Sequence, residues 1–148
     1  MDVSKGFQIE RPNIFVAWGI TEAELVEALR ETDLRRITDG YFVIDCVSLG
    51  GLSHKLGFHF NPRVAGRLNE LEFFGTNSPD NASSFQAFQE HLEATFGQAT
   101  TTVPGEEGFF SYTWLFDGGY VLHCVQERFG PAEYVRIRRG KPHSLSLP

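Results

Sequence analysis

The chain is poor in most of the features that announce a function. In 148 residues it holds 2 cysteines, 1 methionine and 13 lysines and arginines. Cys46 and Cys124 each sit inside an apolar run, so they read as buried thiols of a reducing compartment and not as a disulfide framework. No stretch approaches the roughly eighteen uninterrupted apolar residues of a membrane span. The opening "MDVSKGFQIERPN" places charges and a proline where a secretory leader needs an apolar run. A cytoplasmic protein without membrane association is therefore expected. Cations are scarce against 19 acidic residues, and the net charge is −6. That balance argues against nucleic acid, whose phosphates demand clustered lysine and arginine.

Catalytic and cofactor motifs are missing too. "GGLSHKLG" has neither the spacing nor the following helix of a phosphate loop or dinucleotide fingerprint. "VSLGG" around Ser48 lacks the glycine pattern of a nucleophile elbow. His54 and His59 are five apart, which on a strand sends them to opposite faces, and Cys124 points away from His123. His91 falls on a helix and His143 in the tail, neither with a companion. Cys46 would pair usefully with a histidine only as an exposed thiol, which its apolar neighbours oppose. Glu70 and Glu72 share a strand face, but adjacent outward glutamates serve more often as solvated charges than as a hydrolytic pair. No catalytic residue, cofactor or metal is assigned.

What the chain does have is periodicity. "GITEAELVEALRETD" opens with Thr21 and Glu24 as a capping box, Ile20 can staple onto Leu25, and Leu25, Val26 and Leu29 form an apolar stripe. "SSFQAFQEHLEATFG" repeats the scheme with Ser83 and Gln86, an apolar row of Phe85, Phe88, Leu92 and Phe96, and Gly97 as the stop. After each helix the period falls to two. "GYFVIDCVSLGG", "LSHKLGFHFNP" and "RLNELEFF" read as three strands, and "FFSYTWLFDGG", "YVLHCVQERFGP" and "AEYVRIRR" as three more, with Asp117-Gly118 as a hairpin turn. "QATTTVPGEEG" reads as a long loop before the second set. "LSHKLGFHFNP" laid on "VLHCVQERFGP" matches His54 to His123, Phe60 to Phe129 and Pro62 to Pro131.

The expected fold is therefore α+β in a single domain spanning 1–148. Two tandem α-β-β-β units, about 14–74 and 83–139, would be joined by a connector at 75–82 and followed by a tail at 140–148. They would form one curved antiparallel sheet with two helices packed on one face. Alternation turns Phe42, Ile44, Cys46, Leu56, Phe58 and Phe60 inward. Tyr112, Trp114 and Phe116 are assigned to the core as well. Facing outward are Tyr41, Val43 and Asp45, then Lys55, Gly57 and His59, then Glu70 and Glu72, and finally Tyr134, Arg136 and Arg138.

Such a surface, with aromatic rings between carboxylates and guanidiniums, has the make-up of a protein-binding face. Acidity would speed encounter with a basic partner. The charge is uneven: 8 Lys/Arg against 18 Asp/Glu up to residue 127, and 5 against 1 beyond it. The terminal cations Arg136, Arg138, Arg139 and Lys141 would balance carboxylates across the sheet or meet an acidic patch on a partner. In element order the chain resembles the tandem units of β-lactamase inhibitory proteins, and in size and acidity it is similar to immunity proteins that neutralise bacterial toxins. That resemblance implies a non-enzymatic inhibitor of a basic toxin, docking through an acidic and aromatic surface as a monomer or homodimer. The partner-binding residues expected on this basis are Tyr41, Asp45, Lys55, His59, Glu70, Glu72, Tyr134, Arg136 and Arg138. A secretion-type chaperone for an effector protein is the alternative, or else a small-ligand-binding or enzymatic domain using a pocket beside the 98–108 loop.

Overall fold

The computed structural model describes residues 1–61, 66–75, 80–127 and 130–141. Pro62, Phe129 and His143 lie outside the described residues. The chain opens with a hairpin of β1 (Gly6–Ile9) and β2 (Ile14–Ala17), followed by α1 (Glu22–Ala28). Four strands come next: β3 (Arg35–Thr38), β4 (Tyr41–Ser48), β5 (Leu52–Asn61) and β6 (Arg67–Gly75). Then α2 (Asn81–Phe96) leads into β7 (Thr101–Pro104), β8 (Phe110–Phe116), β9 (Gly119–Glu127) and β10 (Pro131–Arg139). The fold is α+β, with β3 to β10 in one antiparallel sheet of order β3-β4-β5-β6-β10-β9-β8-β7.

Each helix is thus followed by four strands rather than the expected three. The additions are β3 and β7, and β7 occupies part of the segment expected to be loop. Both are short edge strands exposed along their whole length, so they carry no inside-outside alternation to betray them. The second run of strands lies back along the first, so that the last strands of the two, β6 and β10, pair at the centre of the sheet.

The helices form where the caps dictate. Thr21 and Glu24 exchange both bonds of the capping box. Val26, expected in the buried stripe, is 44% exposed. Leu25 and Leu29 stack at a spacing of four and reach the core, whereas Val26 is turned about 100° away on a short helix. α2 begins earlier than expected, because the Asp80 carboxylate accepts the Ser83 N–H and takes the capping role assigned to Ser83. It ends at Gly97, whose φ of +82° costs a glycine little.

One face of the sheet carries the core. Phe42, Ile44, Leu56, Phe58, Leu71, Phe73, Val121, Val135 and Ile137 pack with Leu25 and Leu29 of α1 and with Phe88 and Leu92 of α2. The unexpected hairpin completes this layer with Phe7, Ile9 and Val16, Phe7 meeting Phe73 edge-on at 5.3 Å. Trp114 is buried as expected, with Tyr112 and Phe116 half-buried against the same cluster. The turn between β4 and β5 is tied down twice. Glu10 accepts the N–H groups of Gly50 and Gly51 at 2.9 and 2.8 Å, and His91 of α2 donates to the Leu49 carbonyl at 2.7 Å.

Candidate functional site

Among the described residues, both helices and the first hairpin pack on the core face, and the opposite face carries the other side chains of the strands. Antiparallel register sets which side chains share it, because directly paired residues point to the same side. Tyr41 pairs with His59, Asp45 with Lys55, and His59 with Glu70. Glu72 pairs with Arg136 and Glu70 with Arg138 across the central seam, and Tyr134 pairs with Cys124. Every side chain assigned outward by alternation therefore lies on this face.

Most of them form one chain of contacts. Tyr41 stacks on His59 at 4.5 Å, using a slot left by Gly57, where a Cβ would come within 2.8 Å of the tyrosine ring. His59 Nε2 donates to Glu72 at 2.8 Å. The Arg136 guanidinium then bridges both carboxylates, donating to Glu72 at 3.3 Å and to Glu70 at 3.0 Å, and it lies 4.9 Å from the centre of the Tyr134 ring. Arg138 reaches the other oxygen of Glu70 at 3.3 Å. Burial raises the Glu72 carboxyl, but the His59 bond and Arg136 outweigh it and hold the group below the ordinary carboxylate range. Asp45 stands apart from this chain, opposite Lys55 and 3.7 Å from Arg35.

The consequence is that this face is not acidic. Each of its carboxylates has a cation beside it, so Arg136 and Arg138 perform the balancing role weighed for them. Other acidic side chains lie away from this face, as on α1 at Glu22 and Glu24 and beside the β7–β8 loop at Glu106, Glu107 and Glu127.

The other half of the face is apolar, which alternation alone missed. Tyr120, Leu122 and Cys124 are buried there with Tyr134 against them, and Leu115 stands 52% exposed at the edge. A signal was present: "YVLHCV" runs without polar alternation, as a strand does when both of its faces are apolar.

Buried polar groups cluster on the core side. His54, 1% exposed, lies 2.5 Å from the Ser48 hydroxyl and 3.8 Å from the Cys46 sulfur. These groups are shut from solvent, and burial pushes the Cys46 thiol up to about 12, so neither pair is a usable nucleophile. The second cluster joins Ser84 to Glu133, Glu133 to His123 at 2.6 Å, and His123 to Gln89 at 2.8 Å. Here the serine bonds the carboxylate instead of the imidazole, so the cluster lacks the serine–imidazole bond of a triad. A cavity of about 320 Å³ opens beside Ser84, Glu133 and Asp80. Its carboxylates are already engaged, Asp80 in the helix cap and Glu133 with His123 and Ser84. Among the described residues no set of three His, Cys, Asp or Glu side chains is placed to hold a metal ion, and no helix is long and apolar enough to cross a membrane.

These features define an α+β chain whose broad antiparallel sheet packs one side under both helices and the first hairpin, and on the other carries a polar contact chain beside a buried apolar patch. No family model matches it, and no curated protein does. Among solved structures, a DUF4309 family protein, YjgB, from Bacillus subtilis subsp. subtilis str. 168 is similar, with 14% identity over 81% of this chain and 78% of that chain and a TM-score of 0.46.

Proposed function

We propose that the chain is a non-enzymatic protein-binding module that docks a basic partner, of the kind an immunity-type inhibitor neutralises, through the face of its sheet opposite the helices. The observation that carries this reading is the contact chain Tyr41–His59–Glu72–Arg136–Glu70–Arg138, which holds two half-buried rings and four charges in fixed positions before any partner arrives. A preorganised surface loses little side-chain entropy on binding, and tyrosine and arginine are the residue types that dominate interface energies.

Strand addition at the sheet edges is the competing mode, and both edges oppose it. β3 presents Arg35 and Arg36 and breaks register before Thr38. On β7 the Gly105 N–H turns inward to Phe109, so the Pro104 nitrogen faces the free edge, where it has no hydrogen to offer. The acidic remainder of the molecule supplies long-range attraction for a basic protein, while the charge-balanced face supplies the contact.

Affinity capture from native extract with three baits tests the reading: the natural chain, a Tyr41→Ala/Tyr134→Ala variant, and a Glu24→Gln/Glu27→Gln variant on α1. A basic protein retained by the first and third baits at both low and high salt, and lost by the second, is expected. Equal retention by all three, or retention of nothing, would refute it.

A further inference from the structure

Where the first hairpin, the β4–β5 turn and the end of α2 meet, they enclose a cavity of about 500 Å³ whose lining includes none of the contact chain. Alternation on β2 explains its aromatic wall. Ile14 and Val16 pack on the core, which leaves Phe15 on the outer side of the hairpin, 47% exposed. Its ring lies across the hairpin because of Gly6, where a Cβ would come within 2.7 Å of the ring's end. Met1, 52% exposed, adds a second apolar side chain, and the half-buried Thr95 of α2 and the fully buried Leu49 lie deeper.

The wall formed by the turn is fixed in place. Leu49 has a φ of +55°, a left-handed conformation that residues with side chains seldom adopt, and Gly50 follows at +75°. Three bonds hold that turn: the Glu10 carboxylate accepts the Gly50 and Gly51 N–H groups, and His91 donates to the Leu49 carbonyl. Restrained from both the hairpin and the helix, the turn keeps one shape, so the cavity exists before anything enters it.

The charged side chains of the lining are of one sign. Asp2 and Glu10 are both exposed, which puts their carboxylates at the rim, and among the described residues neither forms an ion pair. Lys5 and the N-terminal ammonium act on Asp2 through their fields alone. The Ser4 hydroxyl and N–H bond only Oδ1 of Asp2, at 2.5 and 3.2 Å, and Glu10 uses one lone pair of each oxygen on the turn, so both carboxylates keep acceptor capacity. A cation arriving here meets opposite charge beside an aromatic ring, and an anion meets carboxylates.

We infer that this cavity is a binding site for a small amphiphilic organic cation, an alkylammonium whose hydrocarbon chain enters against Phe15, Met1 and Thr95 and whose ammonium stays at the rim beside Asp2 and Glu10. The order of the lining, apolar within and acidic at the edge, selects this class. A neutral hydrocarbon leaves the carboxylates unused, and an inorganic cation leaves the ring unused. The lysine of a protein carries its ammonium at the tip of its chain and would enter charge first, past the carboxylates that should hold it. The site is independent of the sheet face that docks the partner.

Titration of the isotope-labelled whole chain with n-hexylammonium chloride, followed by NMR, tests the site. Saturable shifts of the Gly50 and Gly51 amides and of the Phe15 ring, complete by about 10 mM, are expected. n-Hexanol should bind about tenfold more weakly, and hexanoate should leave these signals in place. Phe15→Ala and Asp2→Asn, both at exposed positions and so compatible with folding, should each weaken the ammonium about fivefold, whereas Phe110→Ala, a ring 51% exposed on β8, should leave it unchanged. Equal binding of the alcohol, undiminished shifts in Phe15→Ala, or no saturable shift at all would overturn the inference. So would tighter binding of Nα-acetyl-lysine N-methylamide than of n-hexylammonium, which would assign the cavity to the lysines of a protein.

Discussion

Replacing Arg136 by methionine removes the hub of the face opposite the helices while keeping most of its aliphatic stem. The guanidinium makes two charge-assisted bonds, at 3.0 and 3.3 Å, to carboxylates that are only 11% and 15% exposed. Charge-assisted bonds of this kind contribute about 1.5–3 kcal/mol each, and these belong at the low end because one is long and the arginine retains partial contact with water. Glu70 keeps Arg138 and Glu72 keeps His59, so neither carboxylate is wholly stranded. The expected loss of stability is about 2–3 kcal/mol, or roughly 5–10 °C in Tm for a chain of this size. Urea unfolding of Arg136→Met, of Glu72→Gln and of the double variant measures it. The arginine substitution should cost about 1 kcal/mol less when Glu72 has already lost its charge. A cost below about 0.5 kcal/mol, or strictly additive effects, would show that the network is a set of idle surface ion pairs.

Other outcomes follow from the same geometry. Gly57→Ala should displace the Tyr41 ring from His59, abolishing its ring-current shift on the histidine in NMR spectra, while stability changes by less than about 1 kcal/mol because the tyrosine end can swing aside. Trp114→Phe removes the indole N–H that donates to the Gly97 carbonyl at 2.8 Å, and should cost about 1–2 kcal/mol in thermal unfolding. Thr21→Ala breaks the capping box of α1 and should cost about 1 kcal/mol, read the same way. With a basic partner in hand, raising salt should slow association measured by stopped flow and leave dissociation nearly unchanged, since the acidic surroundings steer and the balanced face holds.

How much of this was legible beforehand depended on whether a segment's environment is two-sided. β4, β5, β6 and β10 turn mainly apolar side chains to the core face and mainly polar ones to the other, so the positions of Tyr41, His59, Glu72 and Arg136 could be read from spacing alone. β3 and β7 are exposed on every side and β9 is buried nearly throughout, so alternation fails in both cases and for opposite reasons. The first hairpin was missed because its strands are only four residues long, and they owe their state to packing Phe7 and Ile9 on the core, which is tertiary rather than local. Asp80 displaced Ser83 as the cap of α2 because the segment offers several capping residues in succession, and only the fold selects among them. Composition gave the net charge but not its distribution. The sequence offered Arg136 and Arg138 as balancing cations, and the register of β6 against β10 sets which carboxylates they meet, Glu72 and Glu70.

The account rests on the face opposite the helices as the place where a partner sits. Photo-crosslinking side chains introduced singly at His59 and Lys55 on that face, and at Glu27 on α1, would locate the partner within the native complex. Adducts to one basic protein from the first two positions and none from the third are expected, whereas adducts from Glu27 alone would contradict the account.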